Sequence, residues 1–303
     1  MERQHLMTNQ FEQRLDRRQF LKTALAVAGG ITTFGVNPSF AGAGQEPAHW
    51  AFLSDTHIAG DPDHKFLGFC PYQNLREICH QIEARPPDGL VVTGDLARLR
   101  GHAEDYKNLR ELVAPIAQKR PIHLATGNHD DRENLLHAFQ KPNYPTWTVN
   151  GKHMLTVDAG PVKLIVLDSL LFVDLPWGRL GKGQRRWLEM YLHACDEAPV
   201  VLMLHHPVLG MDALWDAKSL LKIVKPMAKV KAIVYGHSHR FAFSEYEGIH
   251  LINLPATGFT GYSSQPVGWV EARLAKDEGL FTLHALEGNT RLNGQTTRLR
   301  WRS

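Results

Sequence analysis

Short apolar runs recur along this chain, each closed by a turn, and in the first half most are followed by a stretch of helical periodicity. His49 to Ser54 reads as a buried strand, and Pro71 to Ala84 then sets Leu75, Ile78, Cys79 and Ile82 on one helical face. Gly89 to Thr93 is the next strand and Glu104 to Ala117 the next helix. Pro121 to Ala125 is a further short strand, and the helix after it reaches Phe139. From Thr146 to Leu167 the pattern turns strand-like, with turns at Asn150-Gly151 and Gly160-Pro161. Gln184 to Ala194 is helical, Val200 to Leu204 a continuous apolar strand, Ala213 to Met227 helical and Ala232 to Tyr235 a strand. The remainder alternates as strands over Phe241–Tyr246, Ile249–Leu254, Val267–Leu274 and Leu280–Leu286. This order, β-α units first and paired strands later, predicts an α/β protein with two sheets packed together and helices outside. No internal repeat, low-complexity tract or linker divides the body.

The first 43 residues follow another pattern. Asp16-Arg17-Arg18-Gln19-Phe20-Leu21-Lys22 precedes a weakly apolar run, Thr23 to Val36, and small-residue sites that place a cleavage after Ala41 or Ala43. Charged start, apolar middle and small-residue site predict a signal peptide over 1–43. The paired arginines resemble the twin-arginine export motif, which implies the twin-arginine machinery as partner and a periplasmic or otherwise exported product. The apolar run is shorter than the roughly 20 residues that span a bilayer, so no transmembrane anchor is expected in the mature chain.

Composition adds little and excludes some classes. The 303 residues carry 34 Lys/Arg against 31 Asp/Glu, a formal charge of +3. Without the signal the balance is nearly neutral, and no nucleic-acid-binding face or polybasic anchor is expected. The three cysteines, Cys70, Cys79 and Cys195, show no metal spacing. Cys79 and Cys195 read as core residues. The unusual number is 17 histidines, which permits metal chemistry without requiring it.

The chemistry lies in five clusters at the carboxyl ends of apolar strands: Asp55-Thr56-His57, Gly94-Asp95, Gly127-Asn128-His129-Asp130, His205-His206-Pro207 and Gly236-His237-Ser238-His239. In open α/β proteins ligands bind at that edge. In Asp55-x-His57 and His237-x-His239 the side chains stand two residues apart, so extended backbone would point each pair the same way. Taken singly, each cluster could be a cap or a hydrogen-bonded turn. Together they supply carboxylate, imidazole and amide donors suited to borderline transition ions such as Mn, Fe, Co or Zn.

These five parts, in this order, resemble the calcineurin-like metallophosphoesterases, and the likeness covers roughly residues 49–255. The resemblance implies a four-layer α-β-β-α sandwich, two central mixed sheets flanked by helices, over a domain spanning 46–290. After it, 291–303 reads as a C-terminal edge strand or tail, because Arg298-Leu299-Arg300-Trp301-Arg302 alternates. It implies two divalent metal ions. Asp55, His57 and His239 look like ligands of one, Asn128, His205 and His237 of the other, with Asp95 bridging. His205 is chosen over His206 because it directly follows the apolar strand and stands two before Pro207. His129 looks like the residue that contacts the substrate phosphate. The nearest branch is similar to bacterial cyclic-nucleotide phosphodiesterase-like proteins. Purple acid phosphatases place a tyrosine ligand where this chain has Arg98, and phosphoprotein phosphatases follow Gly-Asp with a segment this chain lacks.

The expected function is an exported phosphohydrolase acting on a small phosphoester, with a preference for diesters, by metal-activated hydroxide. The alternatives are a nuclease or phosphomonoesterase on the same fold, or a non-catalytic metal or phosphate binder. Asp168, at the end of a strand, is read as a solvated turn residue, with a place behind the metal ligands as the alternative. The loop aromatics Phe172, Trp177, Phe259 and Tyr262 are read as packing residues, with the lining of a pocket for a base or sugar as the alternative. Asp61 to Phe69 is expected to form a rim over the metals.

Overall fold

The computed structural model describes residues 46–139, 146–210 and 213–303, so the signal segment expected over 1–43 lies outside the described residues. In the first sheet β1 (Ala48–Leu53), β2 (Gly89–Val92) and β3 (Ile122–Leu124) run parallel. Beyond β1 the sheet continues antiparallel through β11 (Pro266–Leu274), β12 (Glu278–Gly288) and the edge strand β13 (Thr296–Arg300). The second sheet begins with an antiparallel meander, β4 (Thr146–Val149), β5 (Lys152–Ala159) and β6 (Val162–Val166). It goes on in parallel through β7 (Val200–Met203), β8 (Val230–Tyr235) and β10 (Ile249–Asn253), with β9 (Ala242–Tyr246) antiparallel at the far edge.

Both sheets are mixed, and three apolar layers hold them. Trp50, Phe52 and Val91 of the first sheet meet Leu164, Val201 and Val234 of the second. On the other face, Ala51, Leu53 and Leu90 pack with Leu75 and Ile78 of α1 (Pro71–Ala84), Leu109 of α2 (Ala103–Ala117) and Leu135 of α3 (Arg132–Ala138). The second sheet likewise buries Leu202 and Ile233 against Trp187 and Leu188 of α4 (Gly181–Ala194) and Leu220 and Val224 of α5 (Ala217–Val224). Successive residues of β1 therefore enter different cores, which is why its sequence is continuously apolar rather than alternating. The four-layer sandwich is the expected fold. No helix among the described residues is long and apolar enough to cross a membrane.

Two helices differ from expectation. The Asp216 carboxylate accepts the Leu180 and Gly181 N–H groups at 3.0 and 2.8 Å, capping the start of α4 from a distant segment. That cap lets α4 begin at Gly181, ahead of Gln184. The segment before α5 is drawn away from helix, because Leu214 N donates to Pro207 O and Trp215 N to Gly178 O, both at 2.9 Å. At its other end α5 stops at Val224, and Pro226 follows shortly. Cys79 is buried in the core, whereas Cys195, at the end of α4, is only partly buried.

Candidate metal centre

The parallel strands of both sheets deliver their following loops to one place. From the first sheet come Asp55 and His57 after β1, Asp95 after β2, and Asn128 and His129 after β3. From the second come His205 after β7 and His237 and His239 after β8. Asp55, His57 and His239 form one group, with donor atoms within 4.8 Å of one another. Asp55, Asp95 and His205 form a second such group, and His205, His206 and His237 a third. Asp95 Oδ2 stands 3.8 Å from His57 Nε2 and 3.2 Å from His205 Nε2, between the two sides. Asn128 Oδ1 is 3.2 Å from His205 Nε2. All of the residues expected in the site thus come together, His129 at its more open side.

The backbone explains how. Among the described residues, Asp55, His57, Asp95, His237 and His239 all have φ between 47° and 68°, a left-handed conformation uncommon outside glycine. The extended alternation expected for Asp55-x-His57 and His237-x-His239 is therefore not what aligns them; each segment curls. Cross-links hold the curls: Asp55 N to Gly94 O and His57 N to Asp95 O at 2.9 Å, and His237 N to the Asp55 carboxylate at 3.0–3.1 Å. Such strain collects at functional sites, where surrounding contacts over-determine it. The motif glycines serve close approach. A Cβ at Gly127 would lie 2.2 Å from Asp95 Oδ1, and one at Gly236 1.8 Å from Ser54 Oγ.

The donor set fits a cation. His57 Nδ1 faces Arg98 O at 3.2 Å, and His239 Nδ1 faces Phe259 O at 2.8 Å. A carbonyl only accepts, so both Nδ1 atoms carry hydrogen and each Nε2 is the atom left to face the centre. The two Nε2 atoms face each other at 3.1 Å, with Asp55 Oδ1 3.3 Å from His239 Nε2. Burial would lower His239, but the Asp55 charge beside it outweighs that and raises the ring above its ordinary value. Three candidate donor atoms thus converge, and metal-ligating histidines are usually tied through their other nitrogen in this way. Burial pushes His57 down to about 4, so its ring is neutral. For Asp95, burial alone would raise the carboxyl, but the adjoining His205 outweighs it and holds the group well below its ordinary value. Burial would correspondingly lower His205, yet the Asp95 charge lifts it to about 9. Two buried carboxylates thus draw positive charge into a pocket nearly closed to water.

Several partners have no signal in the sequence. Asp130, the last residue of the central tetrapeptide, is buried and accepts from Gly127 N at 2.8 Å, Ala97 N at 3.0 Å, Leu96 N at 3.1 Å and the Tyr106 hydroxyl at 3.0 Å. It binds the Asp95 loop to the Asn128 loop, and burial together with Asp95 pushes it up to about 6. His129 N is anchored on Asp95 Oδ1 at 2.9 Å, and its Nδ1 lies 2.9 Å from Leu99 O and 3.8 Å from Asp174. His206, the unchosen histidine, meets Ser169 Oγ at 2.8 Å through Nδ1 rather than Asp95 or Asn128. Asp168 is not a solvated turn residue. It is 1% exposed and takes both Arg132 Nε and Nη2, at 2.5 and 2.8 Å. Phe259 packs on the rings of His57 and His239, each at 4.7 Å, and Phe66 of the Asp61–Phe69 rim packs on Phe259.

The calcineurin-like phosphoesterase family model matches residues 49–241, and the chain belongs to that family. Its members are metallophosphoesterases, and this chain is accordingly a phosphoester hydrolase with the candidate ligands of a dimetal centre. It is similar to a probable cyclic nucleotide phosphodiesterase of Vesicomyosocius okutanii, 28% identical over 72% of this chain and 89% of that one. A 3′,5′-cyclic adenosine monophosphate phosphodiesterase of Vibrio vulnificus is 28% identical over 68% of this chain and 74% of its own length. Among solved structures, a dimetal phosphatase from Danio rerio superposes with a TM-score of 0.65 at 15% identity, covering 84% of this chain and 99% of that one. At that identity the likeness is one of fold.

Proposed function

We propose that this chain is an exported two-metal phosphodiesterase. Asp55, His57 and His239 would hold one divalent ion and Asn128, His205 and His237 the other, with Asp95 shared. The observation that carries this reading is the facing pair of His57 and His239 Nε2 atoms beside Asp55, with Asp95 reaching from that group to His205, which in turn meets Asn128. The mixed nitrogen and oxygen donors favour Mn, Fe, Co or Zn. When bound, such a pair supplies Lewis-acid activation of water and of phosphoryl oxygens.

The chain's own groups do the rest. Asp130 fixes the Asp95 and Asn128 loops relative to one another. His129, with its backbone N–H on Asp95 and its Nδ1 on Leu99 O, presents Nε2 to the open side. As the imidazolium, with Asp174 3.8 Å from Nδ1, it delivers its Nε2 proton there to the departing alkoxide. The arginines nearest the motifs are engaged elsewhere: Arg98 with His64 at 2.6 Å, Arg100 with Asp174 at 3.1 Å, Arg132 with Asp168, and Arg240 over the Tyr262 ring at 4.5 Å. Without a free guanidinium fork to grip a dianion, a monoanionic diester is the better match. The relatives named above, both diesterases by name, support the same preference.

Turnover of bis(p-nitrophenyl) phosphate and p-nitrophenyl phosphate by metal-reconstituted protein tests this. The diester is expected to give the higher kcat/KM; a preference for the monoester of about tenfold, roughly 1.4 kcal/mol in transition-state binding, would overturn it. Export rests on Arg17-Arg18 and the run behind them. Replacing both arginines by lysine is expected to leave uncleaved precursor in the cytoplasm, and normal processing would remove the twin-arginine reading.

A further inference from the structure

We infer that the apolar rim beside the centre is a docking surface for an anionic phospholipid layer, so that the centre works on phosphodiesters at that surface. The inference rests on the hydrolytic reading above for what the centre does there, but the docking itself stands on separate residues. Phe172 and Trp215 are each 62% exposed, Trp177 and Leu209 each 43%, Leu99 40% and Leu175 36%. Contiguous large apolar side chains this exposed mark an interaction site rather than ordinary surface.

Trp177 and Trp215 form one platform, and the loop that carries Trp177 is joined to the centre. Trp215 N donates to Gly178 O at 2.9 Å, and the Trp177 and Trp215 rings pack on one another with centroids 5.8 Å apart and planes 33° apart. The loop carrying Phe172 to Trp177 is pinned to the central tetrapeptide, since Asp174 N donates to Asn128 O at 2.7 Å. Its far end lies against His206, where a Cβ at Gly178 would stand 2.4 Å from the ring. Leu99 is the residue whose carbonyl meets His129 Nδ1. The patch and the catalytic histidine therefore share one rim.

Shape and charge select the occupant. The two indoles pack against each other and leave no slot for a third ring, so the pair is a platform and not a clamp for one base. Tryptophan is the residue favoured at the headgroup level of a bilayer. The side chains bordering the platform in sequence, Arg179, Lys182 and Lys218, are exposed. Among the described residues, the carboxylates of the same loops are already taken: Asp174 by Arg100 at 3.1 Å, and Asp216 by the N–H groups of Leu180 and Gly181. An apolar platform with a free basic border complements an anionic headgroup layer.

The test is co-sedimentation of the purified protein, and of a Trp177→Ser/Trp215→Ser variant, with phosphatidylglycerol vesicles and with phosphatidylcholine vesicles. The wild type is expected to bind the anionic vesicles, and the variant to bind at least about tenfold more weakly. The variant should keep its circular dichroism spectrum and its turnover of soluble bis(p-nitrophenyl) phosphate. Equal sedimentation of variant and wild type, or no sedimentation of either, would overturn the docking surface. So would light scattering that shows a wild-type dimer and a variant monomer, because the patch would then face a second copy. Soluble diester turnover without vesicle binding removes only the docking surface. Vesicle binding lost in the variant, with no diester turnover in either protein, keeps the docking surface and removes the hydrolytic reading.

Discussion

Replacing Gly127 by alanine should disable the centre while leaving the fold standing. The added Cβ would sit 2.2 Å from Asp95 Oδ1 and 2.4 Å from Asp95 N, where real Cβ atoms essentially never come within 3.0 Å. Something must therefore move by about 0.8 Å or more. The nearer atom belongs to the carboxylate that reaches both donor groups, and the other is backbone, held at φ 50°. Asp95 Oδ1 also receives His129 N, so the displacement carries the proton donor with it. A misplacement of about 1 Å costs on the order of 10² in rate, and local overpacking costs about 1–3 kcal/mol of stability. The assay is kcat/KM on bis(p-nitrophenyl) phosphate, read with the thermal midpoint and metal content. Gly261→Ala is the control, since its Cβ would meet only Leu67 Cδ1 at 3.8 Å. Full activity in Gly127→Ala would refute the argument that this close approach sets the geometry.

Two further predictions concern proton chemistry. His129→Asn should lower turnover of alkyl diesters by roughly 10²–10⁴, the usual range for one general acid, and much less for nitrophenyl esters whose leaving group needs no proton; an equal loss on both would remove the proton-donor role. His123 is 1% exposed, and burial holds it down at about 4 against an ordinary 6.5. As pH falls the unfolded chain takes up that proton first, so stability should decline from pH 6.5 to about 4, by at most about 3 kcal/mol. In His123→Leu the acid limb of the urea midpoint should be flatter by that amount, and an unchanged limb would contradict the assignment.

What could be read in advance was whatever is encoded locally. Apolar runs ended by Asp-x-His, Gly-Asp or Gly-Asn-His mark strand-to-turn junctions, and each junction carries its donors within a few residues. The layers followed from the same runs, because a strand buried on both faces shows no alternation. What escaped were pairings between distant segments. Asp168 reads as a turn residue until Arg132, thirty-six positions earlier, is seen to grip it inside the protein. Asp174 and Leu99 reach His129 from separate loops, and Asp216 caps a helix that begins thirty-five residues before it. Asp130 stood within the most informative tetrapeptide, yet its task, accepting N–H groups from the neighbouring motif, depends on how two loops pack. The spacing in Asp55-x-His57 was suggestive for the wrong reason, since left-handed backbone brings those side chains to their places.

The claim at the centre of this account is that Asp95 is shared between two metals while His129, one residue beyond ligand Asn128, touches only substrate. Metal analysis of purified Asp95→Asn and His129→Asn proteins tests it most directly. If Asp95 is shared, Asp95→Asn would remove a negative charge from between the two cations, so at least one metal should be lost with nearly all activity. His129→Asn should retain both metals and lose rate alone. Retention of both metals by Asp95→Asn, with loss of metal from His129→Asn, would contradict the account.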